Sequence, residues 1–147
     1  MENSINYKNI DIYYSYLIDQ YGFSLFQKRE YQKFFGNFEV ILIGEYFSLR
    51  YYIDRNYASV EIANLKMDKW LDLSFLEDLI YTPEAINART GLEDSISRTN
   101  SLNDFIKRDF DKICKYYNDA NYEDTIMKIN EGLNKQFYIK HPNANRV

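Results

Sequence analysis

Residues 38–62 constrain the fold of this chain more than any other stretch. Phe47, Leu49, Tyr51 and Ile53 alternate with Ser48, Arg50, Tyr52 and Asp54, the period of two that gives a strand one buried and one wetted face. Asp54-Arg55-Asn56 is turn chemistry, and beyond it Val60 and Ile62 flank Glu61, so a partner strand is expected to fold back on the first. Just before the block, Val40-Ile41-Leu42-Ile43 is apolar on both faces, as a central strand would be. Gly36-Asn37 marks a turn. Phe23 to Phe35 reads as extended, with Phe23 and Leu25 on one face and Phe26 and Phe34 on the other. These runs predict an antiparallel meander of three to four strands in sequence order.

Helical periodicity brackets the sheet. Ile10, Tyr14, Leu17, Ile18 and Tyr21 recur at helical spacing, and Gly22 stands where a left-handed cap ends such a helix. After Asn64 the period changes: Trp70, Leu73, Leu76, Leu79 and Ile80 form a helical stripe that Asp72-Leu73-Ser74-Phe75 can break into two pieces. Thr82-Pro83-Glu84 reads as the start of a short helix ending near Gly91, and Glu93 to Asn100 as a loop. Ser101, with Asp104 three residues on, then caps a helix striped by Leu102, Phe105, Ile106, Phe110, Ile113, Cys114 and Tyr117. Asn118-Asp119-Ala120-Asn121 ends it. A last helix carries Tyr122, Ile126, Ile129, Leu133 and Phe137, and His141 to Val147 is a frayed tail. The expectation is an α+β domain, 1–147, with an N-terminal helix (1–22), an antiparallel sheet (23–64), C-terminal helices packed on one sheet face (65–140) and the tail.

Composition narrows the function classes. The 147 residues, 46% hydrophobic and 27% charged, suit one folded domain. The 15 Tyr and 10 Phe are more unusual. A tyrosine buries its ring but needs a partner for its hydroxyl, and such residues are enriched where proteins meet; AT-rich codon usage would raise the same residues without any functional cause. A net charge of −4 lacks the basic footprint of nucleic-acid binding. No run of 18 apolar residues occurs, so no membrane span is expected. Met1-Glu2-Asn3-Ser4 is unlike a secretory leader, and the single cysteine allows no internal disulfide. The expected location is cytoplasmic.

Catalytic constellations are hard to assemble from these residues. His141 is the only histidine and lies in the polar tail, while Cys114 lies on an apolar stripe, where cysteine behaves as a small hydrophobe. No Cys or His pair has zinc spacing. A metal-dependent nuclease core needs an acid on one strand and E-x-K on the next; Asp54 and Glu61 stand on adjoining expected strands, but Ala63 holds the place of the lysine, and Glu30-Tyr31-Gln32-Lys33 is one residue too long. Glu39 and Glu45 are candidate paired carboxylates that read more simply as charges on a wet sheet face. The five glycines form no phosphate loop. Lys107, Arg108, Lys112 and Lys115 are interrupted by Asp109 and Asp111, as on a solvated helix face. No catalytic residue, metal or cofactor is expected.

Charge is unevenly spread. Residues 68–94 hold Asp68, Asp72, Glu77, Asp78, Glu84, Glu93 and Asp94 against Lys69 and Arg89, a local −5, while the rest of the chain is near balance. An acidic segment beside tyrosines is a suitable receiver for a basic protein, although acids also collect in the first turns of helices for purely structural reasons.

The leading helix ending Leu17-Ile18-Asp19-Gln20-Tyr21-Gly22-Phe23, the pair of strands with Tyr51-Tyr52-Ile53-Asp54-Arg55, and the Trp70-Leu71-Asp72-Leu73 segment resemble the small immunity-type proteins encoded beside bacterial polymorphic toxins. The resemblance spans about residues 10–80. It implies a compact α+β domain without an active site that neutralises one toxin by binding it. The expected partner is then a basic toxin domain, a nuclease, occluded by the acidic segment together with Arg50, Tyr52 and Asp54. The alternative expectation is a regulatory domain holding a small molecule or peptide in a Tyr/Phe-lined pocket between sheet and helices.

Overall fold

The computed structural model describes residues 11–31, 37–54, 57–86 and 95–140. It is α+β: helix α1 (Ser15–Tyr21), strands β1 (Ser24–Tyr31), β2 (Asn37–Ile43), β3 (Ser48–Asp54), β4 (Tyr57–Ala63) and β5 (Leu71–Asp72), then helices α2 (Leu73–Tyr81), α3 (Ser95–Tyr117) and α4 (Tyr122–Lys140). The strands form one antiparallel sheet in the order β1-β2-β3-β4-β5.

Alternation decides the two faces. Phe38 pairs with Ile53, Val40 with Tyr51, Leu42 with Leu49, and Leu49 and Tyr51 in turn with Ile62 and Val60; all are buried. They form one core with Leu17 of α1, Leu73 and Leu76 of α2, Leu102, Phe105, Ile106, Ile113 and Tyr117 of α3, and Ile129 of α4. Each sealed aliphatic side chain here is worth about 1.5–3 kcal/mol of transfer free energy. At one end of the core Gly44 lies flat on Phe23: a Cβ there would stand 2.6 Å from the ring, which is itself edge-on to Phe47 and Phe110.

One polar network runs through the core. Tyr16 and Tyr51 both donate their hydroxyls to Asn103 Oδ1, at 2.8 and 2.6 Å, and Asn103 Nδ2 donates to the Tyr13 carbonyl at 2.9 Å. Burial pushes both phenols far above their ordinary pKa, so they remain neutral donors. The network ties α1, β3 and α3 together.

Several expectations need correction. The sheet has a fifth strand, beyond the three to four expected; Leu71–Asp72 is too short to show alternation and is recognised only by pairing with Ile62 and Glu61. Trp70 is therefore not helical, and α2 starts at Leu73, where Asp72 accepts from the Ser74 N–H at 2.9 Å and caps it. The α-helical part of the first helix begins at Ser15, not Ile10, after a tight turn at 11–13. Tyr16 is buried in place of the exposed Ile18. Gly22 does adopt the left-handed cap, at φ 72°. In β1 the untidy alternation has a cause: a bulge between Leu25 and Gln27 leaves Leu25 and Phe26 both exposed.

The expected helix from Thr82 is a single 3-10 turn, Pro83–Ala85; its continuation to Gly91 lies outside the described residues. The expected loop is helical from Ser95 onward, so Ser101 is not a cap. Arg98 and Thr99 are buried, and the polar stretch serves packing. α3 is bent at Asp109 (φ −121°, ψ 26°). The Gly36 and Arg55-Asn56 turns, Phe34 and His141 to Val147 also lie outside the described residues. Among those described, no helix is long and apolar enough to cross a membrane.

Candidate functional site

The second face of the sheet carries what the first excludes. Arg50 in β3 pairs in register with Glu61 of β4; Tyr52 pairs with Glu39 of β2 and Ser59 of β4; and Glu61 pairs with Asp72 of β5. Side chains directly opposite across antiparallel strands share a face. These six residues line a cavity of about 340 Å³.

Arg50 organises the cup. Its Nε and Nη2 donate to Glu61 Oε1 at 2.8 and 2.7 Å, and Nη1 stands 3.8 Å from Glu39 Oε2. The guanidinium lies over the Trp70 ring, 4.8 Å from its centre, a stacking that suits its planar, weakly hydrated cation. Gln27 of β1 donates to Glu39 Oε1 at 3.1 Å. The carboxylates are 13% and 21% exposed and the guanidinium 24%, so the charges are half-withdrawn from water and strengthen one another beyond a surface pair. Asp72 closes the β5 side, with Oδ2 bound to Arg98 from α3. Arg98 Nε is buried and donates to nothing among the described residues.

A second charged cluster lies on α3. Tyr81 donates its hydroxyl to Asp109 Oδ2 at 2.6 Å, Arg108 Nε donates to the same oxygen at 2.9 Å, and Lys112 Nζ is 3.8 Å from Oδ1. The Tyr81 bond, then the Arg108 bond, hold the Asp109 carboxyl below its ordinary value. Arg108 also reaches Glu77 at 3.5 Å. The cluster pins the bend of α3 to α2 and commits its charges internally.

The expected contact residues are scattered. Arg50, Tyr52 and Asp72 meet in the cup. Asp68 is exposed and held by Asn64, whose Nδ2 donates to it at 2.8 Å. Glu77 faces Arg108, Asp78 is 5% exposed, and Glu84 is exposed on the 3-10 turn. Asp54 ends β3 opposite Tyr57; its side chain, like Glu93 and Asp94, lies outside the described residues. The acidic segment is thus not one continuous surface among the described residues: Asp72, Glu77 and Asp78 turn inward. Reading the sequence missed the service of Glu39, Ser59, Glu61, Trp70 and Arg98 at the cup.

The chemistry of the remaining candidates is limited. Burial pushes the Cys114 thiol up to about 11, so it is protonated at neutral pH and not primed as a nucleophile. The layer between sheet and helices, where an aromatic-lined pocket was expected, is occupied by Tyr51, Phe105, Ile106 and their neighbours; the cavity described above is on the opposite face and lined by charge. Comparison with protein-family models, with curated proteins and with solved structures finds no match to this chain.

Proposed function

We propose that this chain is a non-catalytic binding protein of the antidote type, which neutralises a partner toxin by covering it. The observation that carries the reading is the division of labour across one sheet: helices seal one face, while the other holds a charged lattice, Glu39–Arg50–Glu61 on Trp70, fixed by hydrogen bonds and stacking. A lattice already ordered loses little freedom on docking, which favours tight and selective recognition. The partner surface that suits it is basic, as befits a nuclease-type toxin domain, and the meeting would occur in the cytoplasm. Asp68 and Glu84 stand on the open surface to extend the contact.

Rescue is the test. The C-terminal domain of the protein encoded immediately upstream is expressed with and without this chain, and surviving cells are counted. Toxicity relieved only in the presence of this chain is the expected outcome; a harmless neighbour, or killing without rescue, would remove the reading.

A second reading, a regulatory domain for a small ligand, is favoured by the cavity of about 340 Å³, although charge, not aromatic rings, dominates its lining. Thermal-shift screening separates the two, since a ligand at 100 times its Kd adds about 2.7 kcal/mol of stability.

A further inference from the structure

We propose that this protein pairs with a second copy of itself through the free edge of β1, joining two five-stranded sheets into one. The sheet has two edges, and they differ. β5 is two residues long, too short to template a partner. β1 is eight residues long, pairs among the described residues only with β2, and is exposed at Ser24 to Phe26 and again at Lys28 to Glu30.

The parity of the ladder shows which groups this edge offers. Gly44 N–H donates to the Phe47 carbonyl at 2.9 Å, so that pair is of the hydrogen-bonded kind. Such pairs alternate with the other kind along antiparallel strands, which turns the backbones of Ile43, Ile41 and Glu39 toward β1. Their partners from the bulge onward, Gln27 and Arg29, are bonded to β2. Lys28 and Glu30 therefore turn N–H and C=O away from the sheet, where no backbone group among the described residues meets them.

A second copy that approaches antiparallel must set outward groups against outward groups. Three registers do so on this segment: Lys28 on Lys28, Glu30 on Glu30, or Lys28 on Glu30 twice over, about a two-fold axis at Arg29. The first two place like charges directly opposite, which is destabilising; the third makes two pairs of opposite charge. Each of these pairs exchanges both backbone N–H···O bonds, and a contact of this self-complementary kind closes as a dimer. Arg29 meets its own copy at the axis, with Glu39 of the same chain opposite it in β2. Leu25 and Phe26, 48% and 58% exposed, precede the ladder and bring apolar area to its ends.

A lysine and a bulge are also devices that keep edges single. Here the bulge ends at Gln27 and the strand is regular beyond it. Lys28, whose Nζ is 3.3 Å from the exposed Asp11, has a counter-charge of its own two residues along. Such an edge repels a strand of unmatched charge and accepts its own reversed copy.

The pairing stands apart from the antidote reading, and its test needs no toxin. Sedimentation velocity on the full chain from about 10 µM to about 1 mM spans the affinities of small interfaces; a monomer–dimer equilibrium is expected. Lys28→Glu and Glu30→Lys should each weaken it about tenfold, because symmetry counts every change twice, whereas an equimolar mixture of the two variants should recover a heterodimer. Both positions are exposed, so both variants should keep the far-UV CD of the parent. Amide exchange followed by NMR tests the parity: Lys28 and Glu30 should slow with rising concentration, while Arg29, already bonded to β2, should not change. A monomer throughout, a dimer indifferent to both reversals, no recovery in the mixture, or protection confined to other residues would overturn the pairing. A monomer whose Lys28 and Glu30 amides slow only when the upstream toxin domain is added would also overturn it, giving the edge to the toxin.

Discussion

Tyr51 and Arg50 are neighbours in β3 and serve opposite worlds. Tyr51 faces the helices and joins Tyr16 and Asn103 in a network of neutral groups, each satisfied at 2.6–2.9 Å. Arg50 faces the other way into a network of full charges, only half-withdrawn from water and with one bond, to Glu39, left long. In this network the core admits polarity that is uncharged and completely paired, whereas Tyr117, also in the core, keeps its hydroxyl without a partner among the described residues. The outer face keeps charge, and keeps it incompletely paired, which is tolerable where water still reaches.

Breaking the sealed network should cost most. Asn103→Leu leaves the Tyr16 and Tyr51 hydroxyls without their shared acceptor and is expected to lower unfolding stability by about 3 kcal/mol, read as a fall in the urea midpoint. Gly44→Ala, which drives a methyl into the Phe23 ring held by Phe47 and Phe110, should cost about 2 kcal/mol while leaving the Trp70 fluorescence of the folded protein unchanged. Arg50→Ala sets Glu39 and Glu61 against each other without their cation and should cost about 1 kcal/mol. Its deficit should shrink in 1 M salt, which screens charges within about 3 Å, whereas the Asn103→Leu deficit should not move. Equal salt response in the two variants would dissolve the distinction between the faces.

A smaller effect concerns pH. The folded form holds the Asp109 carboxyl below its ordinary 3.8, so the unfolded chain binds this proton first. The stabilisation is complete above the unfolded value and is lost as pH falls through the folded one. Asp109→Asn should therefore flatten the decline of thermal midpoint below pH 3.8. An unchanged acid limb would show that the Tyr81 and Arg108 bonds do not discriminate between folded and unfolded chains.

Part of this was legible in the sequence. The meander follows from alternation, and a short turn after Asp54 that pairs it with Tyr57 sets Arg50 opposite Glu61 and Tyr52 opposite Ser59 by counting alone. The polar core was not legible, because Asn103 looks like any helix-surface asparagine until Tyr16 and Tyr51 converge on it. Asp72 was read as one member of an acidic run, but closeness in sequence is not closeness in space: a two-residue strand turns it toward Glu61 and Arg98, and α2 turns Glu77 toward α3. Polarity alone makes 93–100 read as a loop, yet the chain is helical from Ser95, and Arg98 is polar because its partner across the fold is Asp72.

The strand order has a consequence during synthesis. Every strand pairs with its neighbour in the chain, so the hairpins can close as soon as they clear the ribosome. Phe105 and Ile106, which cover the apolar side, emerge about forty residues after β4, or several seconds later at roughly 5–20 residues per second. Throughout that interval only α1 and then α2 can shield the apolar face, and the part that awaits α3 is where a chaperone would find its binding window.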